Sequence, residues 1–175
     1  MSKKVIRFNL TTKDINRAIR EVNEFKEDFR KKVDTYRNRI ADELAVQASL
    51  NFGNAIVDDV IKGGSPRRPD VRVSVSDRGA VSVVVADGED AVWCEFGAGV
   101  YHNGSVGSSQ NPYGNDLNFT IGSYGEGYGK RQAWGFYDED GELVLTRGTP
   151  ASMPMYNAAQ EVMRKSVEIA KEVFG

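Results

Sequence analysis

The chain has 175 residues, a formal charge of −2, 40% hydrophobic and 27% charged residues, one cysteine (Cys94) and one histidine (His102). That is one domain's worth of chain, long enough for a core. The composition excludes an intrachain disulfide, a zinc site built on several Cys and His ligands, and a relay between histidines. The longest apolar runs are about half of the roughly 20 residues that a membrane span requires. Met1-Ser2-Lys3-Lys4 is not followed by a signal-peptide core, so a chain with no membrane partner, folded in a reducing cytoplasm, is expected.

Glycine and charge are unevenly distributed. Residues 97–148 hold 12 of the 18 glycines and five of the seven tyrosines. Residues 1–69 carry 15 Lys/Arg against 10 Asp/Glu, residues 70–150 carry 5 against 12, and residues 151–175 carry 3 against 3. The small net charge therefore sums two opposed regions.

In chain order, Val5 to Leu10 alternates apolar and polar residues, the period of a half-buried strand. Thr11-Thr12-Lys13-Asp14 then has the form of a capping box, which starts a helix at about Thr12. Ile15, Ile19, Val22, Phe25, Phe29, Val33, Tyr36, Ile40, Leu44 and Ala48 recur about every 3.7 residues, a helical period that no Gly or Pro interrupts before Phe52. Such a helix is roughly 58 Å long, whereas a globule of this size is roughly 40 Å across. Either it bends or breaks into a hairpin, or its overhang packs on another copy of the chain. The opposite face, with Lys26, Glu27, Arg30, Lys31, Asp34 and Arg37, has the character of a solvated surface.

Ile56–Ile61 either extends the helix or forms a short second one, stopped by Gly63-Gly64-Ser65-Pro66. Val71–Ser76 and Val81–Ala86, joined through Asp77-Arg78-Gly79, predict an antiparallel hairpin. Ala91–Phe96 reads as a third strand ending at Gly97. No period survives from 98 to 131, which is expected to be a Gly/Tyr-rich insertion loop. Ala133–Tyr137 and Glu142–Thr146 flank Asp138-Glu139-Asp140-Gly141 as another hairpin, and Met155–Phe174 has the apolar face of a terminal helix. The expectation is a single α+β domain over 1–175: a small antiparallel sheet flanked by a long N-terminal helix and a C-terminal helix.

Chemistry-bearing motifs are weak. The glycines of 122–130 lack the Walker spacing: the position six before Lys130 is Tyr124, and Arg131 stands where Ser or Thr belongs. The acidic run 138–142 lacks the calcium-loop glutamate, because Arg147 holds that place. Asp58-Asp59 and Glu89-Asp90 are adjacent pairs that do not face one another as an acid/base device. Lys62, Arg67 and Arg68 form the one basic cluster that could touch DNA, without the broad basic face of a duplex binder. No catalytic residue, metal ligand or cofactor site is expected, and a small nucleotide-binding module using the glycine loop is the alternative from another class.

Two segments carry a resemblance. Val92-Trp93-Cys94-Glu95-Phe96-Gly97-Ala98-Gly99, followed after a glycine-rich insertion by Leu143–Thr149 and Pro150-Ala151-Ser152-Met153-Pro154-Met155-Tyr156-Asn157-Ala158-Ala159, resembles the head-tail joining (neck, minor tail component) family of tailed bacteriophages, the lambdoid gene-product-ten-like group. The family has an aromatic-x-Glu-Phe/Tyr-Gly-Thr/Ser-Gly motif and a later Gly-x-Pro-x-x-Pro segment. Here Ala98 replaces the usual Thr or Ser, and the insertion is unusually long. The resemblance implies a non-enzymatic virion protein, assembled in the host cytoplasm into a ring, with six copies matching the tail's usual symmetry. Its partners would be the head connector or stopper protein and the tail-tube or tail-terminator protein; a terminator or tube-capping subunit is the variant reading. The interface residues expected on this reading are Phe29, Tyr36, Trp93, Glu95, Phe96, Gly97, Tyr101, Tyr113, Tyr124, Tyr128, Asp138, Asp140, Pro154 and Met155. Glu95, Phe96 and Gly97 could equally set a tight turn, with Gly97 serving the backbone and Phe96 the core.

Overall fold

In the computed structural model the chain folds as an α+β protein. The structure describes residues 5–7, 9–57, 59–65, 67–97, 113 and 133–175, with the main chain alone at Trp134. Helix α1 spans Thr12–Asn54, 43 residues or about 64 Å. It is one continuous helix, so neither a break nor a helical hairpin occurs. Its start follows the sequence: the Thr11 hydroxyl oxygen accepts the Asp14 amide at 3.2 Å and the hydroxyl donates to the Asp14 carboxylate at 3.0 Å.

Two short sheets follow. Strands β2 (Arg72–Asp77) and β3 (Ser82–Asp87) pair antiparallel from Arg72↔Asp87 to Asp77↔Ser82, closed by the Arg78 amide donating to the Val81 carbonyl at 2.8 Å. The second sheet has the order β1 (Val60–Lys62), β5 (Leu143–Thr146), β4 (Trp134–Tyr137), with β4 and β5 in register from Trp134↔Thr146 to Tyr137↔Leu143. Both expected hairpins form. Between the sheets lies α2 (Ala91–Phe96), and the chain closes with α3 (Pro154–Phe174).

Three expectations are corrected. The described residues of 56–61 are not helical: α1 stops at Asn54, Ala55 is extended, Val57 bridges Arg67, and Val60–Lys62 becomes the edge strand β1 beside β5. A run of Ile and Val there is used on a sheet edge. Ala91–Phe96 is a six-residue helix rather than a strand, with Cys94 N–H donating to the Asp90 carbonyl at 2.9 Å and Gly97 N–H to the Trp93 carbonyl at 2.7 Å. Its buried residues are Ala91, Cys94, Glu95 and Phe96; the first three share a helical face, and the set does not alternate. Val5, Ile6, Arg7 and Asn9 belong to no strand.

Helix α3 runs antiparallel to α1. Asn51 Nδ2 donates to the Pro154 carbonyl at 3.0 Å, Lys165 Nζ meets Glu43 at 2.7 Å, Arg39 meets Glu172 at 2.6 Å, and Phe174 ends against Phe29 and Tyr36. The β2–β3 hairpin covers a second side of the same half, with Arg37 reaching the Gly79 carbonyl and Asp77. The main core is built from Phe52, Ala55, Val57, Ala91 and Cys94, with Val71, Val73, Ala86 and Met155 packed around it.

Candidate functional site

The two motif segments meet at the start of α3. Met153, the residue before the helix, has φ +51 and offers no capping side chain. The unpaired N–H groups of the first turn are therefore served from elsewhere. The buried carboxylate of Glu95 accepts the Met155 amide at 2.9 Å and the Tyr156 amide at 3.0 Å. A negative charge at this place also complements the helix dipole. The Cys94 carbonyl accepts the Met153 amide at 3.1 Å and the Ser152 hydroxyl at 3.3 Å. Gly97, at φ +83, turns the chain away where an added Cβ would stand 3.2 Å from the Ala151 methyl. Six residues of α2 thus dock a segment some 60 positions later in sequence.

A second cluster secures α2 from its other end. Arg67 makes two bonds to Asp90, Nη1 to Oδ2 at 2.7 Å and Nη2 to Oδ1 at 2.9 Å, and Asp90 Oδ2 also accepts the Asp70 amide at 2.9 Å. The Arg67 bond holds the Asp90 carboxyl below the usual carboxylate range against the opposing effect of burial, and the Asp70 amide adds to it. Burial pushes the Cys94 thiol up to about 11, helped by the negative charges of Asp90 and Glu95. Arg68 donates to the Gly53 and Ala55 carbonyls at the end of α1. Of the basic cluster considered for DNA, Arg67 and Arg68 are therefore bonded within the chain, and Lys62 is an exposed edge-strand residue.

The remaining expected interface residues divide. Phe29 and Tyr36 lie 5.8 and 5.9 Å from the Phe174 ring, and Phe29 lies 6.4 Å from Phe25. Trp93 is half-buried, Phe96 and Pro154 are buried, and Met155 packs on the core. These last four are folding residues first. Asp138 closes its own turn, accepting the Asp140 amide at 3.1 Å and the Glu142 amide at 2.8 Å. Asp140 and Tyr113 are exposed. Tyr101, Tyr124 and Tyr128, with His102 and the 122–130 glycines, fall outside the described residues. No group of His, Cys, Asp and Glu suited to a metal occurs among the described residues, and no described helix is long and apolar enough to cross a membrane.

One surface was only half legible in the sequence. The hydrogen bonds, ion pairs and ring contacts joining α1 to α3 and the hairpin fall at Phe29 and beyond among the described residues. Thr12 to Asp28, about 25 Å of helix, lies outside those contacts among the described residues, with Ala18 its one buried residue. Between α3 and the β2–β3 hairpin lies an open apolar groove of about 490 Å³, with Val33, Tyr36, Ile40 and Leu44 as floor and Met163 and Val84 in its walls. The 3.7-residue period located the stripe, but the groove depends on how far apart two other elements sit on it.

No protein-family model matches the chain, and no curated protein and no solved structure matches it at a significant level.

Proposed function

We propose that the chain is a structural subunit of the head-tail joint of a tailed bacteriophage, a ring-forming neck protein that joins the head connector to the tail tube. The observation that carries this reading is the junction at α3. The residues of the resemblance, Trp93-x-Glu95-Phe96-Gly97 and Pro154-Met155-Tyr156, lie far apart in sequence yet form one hydrogen-bonded unit. Shared residues that make a common joint are what a family fold requires, whereas chance similarity in two places has no reason to converge.

The unit also has a mechanical consequence. It ties α3 rigidly to the point where the chain departs at Gly97 into the glycine-rich insertion, so the insertion leaves from a fixed platform. In the ring, the acidic tip around Asp140 is a surface offered to neighbours. The charge difference between residues 1–69 and 70–150 suits a head-to-tail contact, whose closure generates a ring.

The test is made in infected cells and on purified particles. Deletion of the gene should leave DNA-filled heads and finished tails unattached in negative-stain images, and the protein should be recovered in complete virions. Binding to connector and tail-tube proteins should appear by light scattering. A protein absent from particles, and blind to both partners, would overturn the reading; overlong tails in the deletion would make it a terminator instead.

A further inference from the structure

We draw no further inference here: the strongest candidate, the apolar groove between α3 and the β2–β3 hairpin whose floor is the α1 stripe of Val33, Tyr36, Ile40 and Leu44, carries nothing, because nothing in the structure shows what covers it.

Discussion

The Glu95 carboxylate accepts the Met155 amide at 2.9 Å, across 60 positions of sequence, and so caps a helix that its own preceding residue cannot cap. Met153 sits in the left-handed region and its side chain does not cap the helix, which makes the buried carboxylate the acceptor for the first turn of α3. Glu95→Ala leaves the Met155 and Tyr156 amides without that acceptor and should cost about 2–4 kcal/mol. For a chain of this length that lowers Tm by roughly 2–4 °C per kcal/mol. Glu95→Gln keeps one acceptor oxygen but sets its NH2 group against the other backbone N–H, so it loses the charge and one of the two bonds and should cost nearly as much. Thermal unfolding of the two variants followed by circular dichroism distinguishes a cap from a surface contact, for which both changes would be near neutral.

The Arg67–Asp90 pair confers acid sensitivity. Asp90 is bonded to Arg67 twice and to the Asp70 amide, and its carboxyl is held below its ordinary value. A carboxyl with a depressed folded-state pKa contributes stability that is fully present above its unfolded value, near pH 4, and is lost as pH falls through the folded value. Asp90→Asn should therefore destabilise by about 2 kcal/mol at pH 7, and the gap to the native chain should narrow below about pH 4. Urea titrations at pH 7 and pH 3 measure it. A gap of equal size at both would mean that the ionised pair is not its source.

Cys94 should be silent in the native state. Its thiol is fully buried and pushed up to about 11, so only about one molecule in a thousand holds a thiolate at pH 8. A disulfide reagent such as Ellman's should react at the rate of opening of the α2–α3 joint and slow further in conditions that stabilise the fold. Immediate stoichiometric labelling of the native protein would show that this joint is open in solution.

Local signals were legible where a single element decides its own structure. Thr11 and Asp14 marked the start of α1, the uninterrupted 3.7-residue stripe gave its helical period but left its continuity open, and the Val-rich alternation on either side of Asp77-Arg78-Gly79 gave the hairpin. Ala91–Phe96 failed because Val, Trp and Phe favour strands in isolation, while the fold needs Ala91 and Cys94 together toward Phe52 and Val57 and Glu95 beside the start of α3. The 56–61 segment failed for a related reason: β1 exists only because β5, more than 80 residues later, supplies its partner. Of the candidate residues, Glu95 was singled out, but its role was not readable, because the two amides it serves belong to another element.

Glycine offers the last contrast, between a position the joint requires and one it merely tolerates. Gly97 has φ +83, and a Cβ there would approach the Ala151 methyl at 3.2 Å, the Ala151 amide nitrogen at 3.3 Å and the Thr149 carbonyl at 3.4 Å. Gly97→Ala thus combines a left-handed backbone with a crowded contact and should cost about 1–3 kcal/mol. Gly53 lies in the last turn of α1 with ordinary helical dihedrals, and a Cβ added there would meet nothing within 4 Å. Gly53→Ala should stabilise the chain by about 0.5–1 kcal/mol, since alanine loses less backbone freedom on entering a helix. Opposite shifts in the urea midpoint, with unchanged m-values, are the expected result. If Gly97→Ala were neutral, residues 149–151 would have to move away from the end of α2, and the Glu95 cap on α3 should weaken with them.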